Sequence, residues 1–314
     1  MAKHDMSLLI GIVLSLLFFI ITVVFNALAG PGIYPFLRST GNISDEFTTQ
    51  ITPSGWTFSI WSVIYAFLAS VLAYVLSGLC RKNAYGYVYC SPAILPHGFF
   101  FTWCLNMGFN VGWLFLWDRS LMPAALAFLI LIAFTNYVMI FFSCNALHVY
   151  GAWLNKYHRV DLWLLRVLIQ NGIAIYATWT TIASLINLNI VLTTEANMSQ
   201  MNAAIVSLSI LTVALFAWFI LENFVLDKHV RYILITYPVV IWALSGNLDK
   251  NYDATSPKRN GIFIAVLLAL ASVLFVIRIV LVIWKHIKQP LYSDVHPGDM
   301  EPKEIAEKQK KIFR

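Results

Sequence analysis

Charged side chains are scarce in this sequence. Only 11% of its 314 residues are Asp, Glu, Lys or Arg, whereas 60% are hydrophobic and the mean hydropathy is +0.74. Soluble domains carry about 25% charged and about 45–50% apolar residues. The shortage of charge therefore excludes an ordinary soluble protein and indicates that lipid surrounds most of the chain.

A barrel-like alternation of apolar and polar residues is also missing. Lipid cannot satisfy backbone N–H and C=O groups, so only helices and closed barrels span a bilayer. Continuous apolar runs of about 20 residues favour helices. We therefore predict an all-α membrane protein, a polytopic helical bundle of about eight transmembrane helices.

Groups that carry out catalysis or bind metals are sparse too. The four cysteines form no Cys-x-x-Cys pair and have no ligand spacing with histidine, which argues against a metal site. The predicted spans contain no paired carboxylates and no Ser/His/Asp set. We expect no catalytic residue, no metal ligand, no cofactor and no enzyme activity.

What the sequence does contain is a series of long apolar runs. The first run is too long for a signal peptide, and we interpret it as a retained span. Pro238 lies inside the seventh run, where we expect it to kink the helix. The eight predicted spans cover about residues 7–29, 54–79, 95–117, 121–147, 162–190, 203–224, 230–247 and 260–284.

Loop charges predict the orientation of these spans. With a cytoplasmic N-terminus, fifteen Lys and Arg residues fall in inner segments and five in outer loops, as the positive-inside bias requires. The glycosylation sequons at Asn42 and Asn197 both fall in predicted outer loops. We therefore predict cytoplasmic termini, glycosylated outer loops and a polar cytoplasmic tail over residues 287–314, where Tyr292-Ser-Asp-Val295 matches a tyrosine-based sorting signal.

Two ionisable residues lie in or near the ends of the predicted spans. Arg278 is about two turns from the cytoplasmic end of the last span, and Glu222 is at the inner end of the sixth. We expect both to reach water, Arg278 by extending its long side chain toward the interface. The alternative for Arg278 is a coupling or anion-binding role.

Aromatic residues concentrate where the second span begins. Pro53 suits the start of a helix, and Trp61 and Tyr65 are four residues apart, so they share a helix face. For Trp56, a position in the interfacial aromatic belt and a position in a pocket both stay open. Trp61 and Tyr65 lie deeper, which favours helix packing or a pocket.

Spans three and five each carry a stripe of amides and aromatic rings. Amides are costly in lipid, so both stripes are predicted to face the bundle interior. Such a stripe suits a flat apolar ligand with polar edges, and it also suits ordinary helix packing. The members are Asn106, Asn110, Trp113 and Trp117 in span three, and Tyr176, Trp179, Ala183 and Asn187 in span five.

Together these motifs resemble the TspO/MBR family, the translocator and tryptophan-rich sensory proteins, in its longer eight-span type. The similar segments come in the family's order: a Pro- and Trp-containing start of helix two, Asn-x-x-Trp in helix three and Tyr-x-x-Trp-x-x-x-Ala-x-x-x-Asn in helix five. They are preceded by the similar segments Asn26–Gly30 and Ser39–Asp45.

The resemblance implies a five-helix bundle over residues 1–195, with a pocket that opens near the loop between helices one and two. Three additional transmembrane helices would follow over residues 196–286. The family is associated with tetrapyrroles, sterols and similar hydrophobic ligands in receptor, sensing or carrier roles. The ligand-binding residues implied here are Trp56, Trp61, Tyr65, Asn110, Trp113, Tyr176, Trp179 and Asn187.

The expected partners are the lipid bilayer and a hydrophobic planar small molecule. We do not expect a nucleic acid, and we leave a homodimer open. The sequons favour an endomembrane or plasma membrane over the mitochondrial outer membrane. The alternative function is a secondary transporter or facilitator of a small solute that uses all eight helices, although no deep acidic residue is evident for ion coupling.

Overall fold

The computed structural model describes residues 4–292, so residues 293–314 of the predicted tail lie outside the described residues. Within the described part the chain is almost entirely helical, which confirms the predicted all-α polytopic bundle. A short hairpin, β1 (Lys82–Asn83) with β2 (Gly86–Tyr87), follows the third helix. The helices are α1 (Met6–Ala29), α2 (Thr40–Glu46), α3 (Ile60–Cys80), α4 (His97–Asp118), α5 (Met122–Tyr157), α6 (Arg159–Leu164), α7 (Gly172–Thr194), α8 (Gln200–Ile220), α9 (Asp227–Val230), α10 (Thr236–Asn251) and α11 (Arg259–Lys288).

Seven helical segments among residues 4–292 are long and apolar enough to cross a bilayer. They correspond to seven of the eight predicted spans. The predicted seventh span, residues 230–247, is instead the 16-residue helix α10. At 1.5 Å per residue α10 is about 24 Å long, which is shorter than the roughly 30 Å hydrocarbon core.

Pro238 does not kink a long helix, contrary to the expectation from sequence. Because α10 begins at Thr236, Pro238 occupies its first turn, where a backbone N–H has no intrahelical partner to lose. The stretch from Arg231 to Ile235 lies outside any helix. The apolar run therefore divides into a non-helical stretch over residues 231–235 and the short helix α10.

Hydrogen bonds between helix ends define one end of the bundle, which we call the proximal end. The Asp5 amide at the start of α1 donates to the Tyr89 hydroxyl at 3.0 Å. Arg81, just after α3, pairs with Asp161 of α6 at 2.7 Å. The start of α1, the end of α3 and the start of α6 therefore lie together.

The opposite end, which we call the distal end, is fixed in the same way. The Leu37 amide donates to Asp118 Oδ1 at the end of α4, over 2.9 Å. Asn251 at the end of α10 donates to the Thr52 carbonyl over 3.0 Å. The loop between α1 and α3 thus covers the distal ends of α4 and α10.

After α11 the chain folds back onto the proximal half of the bundle. The Tyr292 hydroxyl donates to the Leu147 carbonyl of α5 at 3.2 Å and accepts from Arg166 Nη2 at 3.4 Å. The phenol occupies the space beside Gly151, where a Cβ would lie 2.1 Å from the hydroxyl oxygen. The described chain therefore begins and ends at the proximal end.

Helix α7 lies at the centre of the bundle. It packs against α3, α5, α8 and α10, and small residues such as Gly172, Ala174 and Ala177 let its neighbours approach closely. It is preceded by π-helical turns over Leu165–Asn171. The family-like helices and the later helices thus share one apolar core, built on both sides of α7.

The predicted exposure of Arg278 and Glu222 to water is wrong. Both side chains have 0% exposure, and Arg278 Nε lies 3.3 Å from Glu222 Oε2. The guanidinium donates to Asn223 Oδ1 at 2.8 Å and to the Arg231 carbonyl at 3.0 Å. Tyr237 donates its hydroxyl to the other Glu222 oxygen. Arg278 therefore ties α11 to α8 and to the non-helical stretch before α10.

A π-helical segment produces this arrangement on α8. Residues Leu221–Val225 form wide turns, and the consecutive residues Glu222 and Asn223 are both buried toward Arg278. A regular α-helix would separate neighbouring side chains by about 100°. π-Helical turns inside helices are frequent at functional sites.

Replacing Arg278 with Met should lower the stability of the bundle by about 3–5 kcal/mol, because Glu222 then remains buried without its cation. Adding Glu222→Leu should recover part of that loss. Thermal unfolding of the detergent-solubilised protein measures both effects. Arg259→Met, at the exposed distal start of α11, is the matched control and should change the melting temperature little.

Candidate ligand-binding cavity

A cavity of about 640 Å³ lies at the distal end, beneath the loop between α1 and α3. Its walls come from α1, α3, α4 and α7, and its mouth is formed by α2, the loop and the end of α10. Most of the lining is apolar, with a few amide, hydroxyl and charged groups at the edges. Helices that are far apart in sequence thus enclose one compact space.

The Trp61 indole is the centre of the aromatic wall. Its ring centroid lies 6.0 Å from that of Tyr65 and 6.2 Å from that of Trp113, with interplanar angles of 23° and 24°. Tyr176 and Trp179 meet it nearly edge-on, at 5.9 and 6.3 Å. Trp61 therefore makes two roughly parallel and two steeply angled ring contacts.

An amide ladder holds this wall in place. Asn26 of α1 donates to Asn110 Oδ1 at 2.8 Å, and Asn110 donates to the Tyr176 hydroxyl at 2.8 Å. Asn110 and Tyr176 are fully buried and do not line the cavity. They therefore support Trp61 and its neighbours from the side of the wall that faces away from the cavity. The ladder also joins α1, α4 and α7 across the bundle.

Several polar atoms at the cavity wall have no hydrogen-bond partner although they are buried. They are the Tyr65 hydroxyl, Trp113 Nε1, Trp179 Nε1 and both amide atoms of Asn187. Buried polar groups are normally paired, because leaving one unpaired costs about 1–3 kcal/mol. A bound molecule with polar edges would satisfy them.

Trp56 lies outside the cavity. Its indole N–H donates to Asp249 Oδ2 of α10 at 3.0 Å, and its ring meets Trp242 edge-on at 4.9 Å. Gly55–Ser59 form a 3₁₀ turn, in which successive residues are about 120° apart. That geometry turns Phe58 toward the cavity and Trp56 toward α10.

Helix α10 forms part of the cavity rim. The Ser54 amide donates to the Gly246 carbonyl at 3.0 Å, and Trp242 Nε1 donates to the Thr57 carbonyl at 2.9 Å. At the mouth, Lys250 Nζ lies 3.7 Å from Asp45 Oδ1. The helices after residue 195 therefore hold the beginning of the second span and supply a charged side chain to the mouth.

A family model described as TSPO-like protein matches residues 12–283, well over half of the chain.

The chain belongs to the TSPO-like family.

No curated protein and no solved structure matched the chain. The family match extends past the 195 residues that carry the resemblance and includes α8, α10 and α11 of this TSPO-like chain. The later helices are therefore part of the family's sequence pattern. This agrees with the structure, in which α10 borders the cavity.

Several cavity residues lie outside the ligand-binding set that the resemblance implies, among them Asn26, Phe58, Trp117 and Lys250. The sequence patterns contain three of these residues. Asn26 lies in the segment Asn26–Gly30, Phe58 lies in the Pro- and Trp-containing start of helix two, and Trp117 lies in the stripe of span three. Lys250 has no such signal, because its contact with Asp45 joins residues that are more than 200 positions apart. Among residues 4–292, no group of three His, Cys, Asp or Glu side chains could hold a metal ion.

Gly246→Ala should destabilise the rim, because the new Cβ would lie 1.9 Å from Thr57 Oγ1, which is buried. Overpacking of this kind costs about 1–3 kcal/mol. Thermal unfolding and proteolysis within the loop between α1 and α3 measure the effect. Gly108→Ala is the control, since nothing lies within 4 Å of its Cβ position. Equal effects of the two substitutions would contradict the role of α10 at the rim.

Proposed function

We propose that this protein binds a hydrophobic planar small molecule of tetrapyrrole or sterol type in the distal cavity and acts as a receptor, sensor or carrier. The observation that carries the proposal is the set of buried, unpartnered polar atoms at the aromatic wall of the cavity. The cavity volume lies within the roughly 300–1,000 Å³ of small-molecule sites. The proposal includes no catalytic step.

The aromatic rings that line the cavity favour a flat ligand, because a flat ligand can stack on them. A planar molecule can stack on Trp61 or Trp113 while the edge-on Trp179 borders it, and such aromatic contacts contribute about 0.5–1.5 kcal/mol each. The Asn187 amide and the Tyr65 hydroxyl would fix its orientation. Lys250 and Asp45, which lie 3.7 Å apart, both border the mouth and would offer a cation and a carboxylate to polar substituents of the ligand.

A secondary transporter is the second candidate, and one observation favours it. The buried Glu222–Arg278 pair lies next to the non-helical stretch before α10. Transporters place ionisable groups beside interrupted helices in this way. Uptake of a solute into proteoliposomes that Glu222→Gln abolishes, without ligand binding at the distal cavity, would favour this alternative.

Titration of the solubilised protein with protoporphyrin and with cholesterol, followed by tryptophan quenching and thermal shift, tests the binding proposal. We expect saturable binding of at least one ligand. Trp179→Ala removes one ring contact and one hydrogen-bond donor and should weaken binding about tenfold. Asn110→Ala should also weaken it, because the amide ladder positions the wall.

Two variants separate a binding role from a packing role. Ala183→Phe fills the cavity and should abolish binding while the fold persists. Trp103→Ala removes an equally buried indole on α4 that does not line the cavity, and it should leave the dissociation constant unchanged. If Trp179→Ala and Trp103→Ala lose stability alike and neither changes binding, the aromatic residues serve packing alone.

We place the proximal end in the cytoplasm and the distal end in a lumen or outside the cell. Support comes from the positive residues of the inner segments and from the sequons, since Asn42 and Asn197 are both exposed on distal loops. This orientation fits an endomembrane or plasma membrane better than the mitochondrial outer membrane.

Cysteine labelling tests this orientation. Cys80 is exposed at the proximal end of α3, so an impermeant maleimide should label it only after the plasma membrane is selectively permeabilised. A variant that carries Asn197→Cys and lacks the native cysteines should show the opposite accessibility. Endoglycosidase treatment of the wild type should increase its gel mobility, and Asn42→Gln with Asn197→Gln should remove that change.

A further inference from the structure

A second cavity, of about 510 Å³, lies on the other side of α7. We call it the lateral crevice. Its floor is α7, its walls are α5 and α8, and α9 with the stretch that follows closes its proximal end. On α7, Ala177 and Thr181 line the lateral crevice, whereas Trp179 and Ala183 line the distal cavity. One helix thus separates two independent sites.

The lateral crevice borders the bilayer. Tyr137 and Phe141 on α5, Ala214 on α8 and Leu221 at its proximal end line the crevice and are exposed on the outer faces of the bundle. Because α7 carries small side chains here, the crevice is deeper between α5 and α8. A molecule can therefore enter sideways from the lipid without passing the distal mouth.

The proximal end of the crevice is its polar end. His229 lines the crevice, and its Nδ1 atom is buried without a hydrogen-bond partner. The His229 ring lies 4.7 Å from that of His148. His229 thus presents an imidazole at one end of a cavity whose remaining lining is mostly hydrocarbon, and the His148 ring packs against it outside the lining.

The charges around this end are predominantly positive. The two carboxylates nearby are already paired: Glu222 with Arg278, and Asp227 with both Arg231 and Lys285. Three cations therefore face two carboxylates, and Lys228 precedes His229 in the chain. These charged residues lie beside the lining and are not part of it, and their net positive charge favours an anionic headgroup over a cationic one.

We propose that the lateral crevice binds a free fatty acid from the bilayer, with its alkyl chain between α5 and α8 and its carboxylate at His229. The stretch of α7 along the crevice, from Ala174 to Ile182, is about 12 Å long. Lipid is as apolar as the crevice, so moving the alkyl chain from the bilayer into the crevice releases little free energy. Selectivity therefore comes from the carboxylate and from the shape of the crevice.

Photo-crosslinking tests this proposal on the full chain in phosphatidylcholine nanodiscs. The probe is palmitic acid with a diazirine in its alkyl chain, and the labelled peptides are mapped by mass spectrometry. We expect labelling on α5, α7 and α8 around the crevice. Unlabelled palmitate should compete at least tenfold better than hexadecanol, which has the same chain without the charge.

Ala214→Phe narrows the crevice from its exposed edge and should reduce labelling at least fivefold. Ala183→Phe, which fills the distal cavity, is the control and should leave labelling unchanged. His229→Leu should abolish the preference for palmitate over hexadecanol. We expect these labelling results whether or not a tetrapyrrole or sterol binds in the distal cavity.

Equal labelling of wild type and Ala214→Phe would overturn the proposal, and so would labelling that is spread evenly over the outer faces of the bundle. Equal competition by palmitate and hexadecanol on the wild type would overturn the assignment of the carboxylate to His229. That comparison needs no substitution, so it decides the matter even if a variant fails to fold.

Discussion

Lipid offers no hydrogen bonds, so every polar group inside this bundle depends on a partner within the protein. That constraint explains the connections that cross the molecule. Arg278 holds α8, α11 and the stretch before α10 together through one guanidinium, and the ladder from Asn26 to Tyr176 joins α1, α4 and α7. Some buried polar atoms have no hydrogen-bond partner; they include the Tyr65 hydroxyl and the Asn187 amide at the distal cavity and the Asn136 and Asn189 amides away from it.

Helix α7 lies between the two cavities and separates them. Its aromatic face belongs to the distal cavity and its small-residue face to the lateral crevice, so both sites share one wall. Helix α10 borders both cavities, with Lys250 at the distal mouth and Val240 in the crevice. The helices after residue 195 therefore pack against the first five spans on two sides and form part of the boundary of both cavities.

Much of the fold could be predicted from sequence because long apolar runs and amide stripes are local signals. The stripes at Asn110 and Tyr176 do face the interior. Predictions failed where the decisive partner is distant in sequence. Arg278 was expected to extend to water because its partner Glu222 is 56 residues away and lies outside any local sequence window. The same guanidinium donates to the Arg231 carbonyl in the non-helical stretch before α10. Trp56 was uncertain because the 3₁₀ turn decides which way it faces.

The docked position of Tyr292 couples the beginning of the tail to the bundle. Its hydroxyl is held by a carbonyl of α5 and by Arg166, and its ring fits only because residue 151 is glycine. A side chain at position 151 would take the place of the phenol, so the end of α11 and the chain that follows it would lose this attachment to α5.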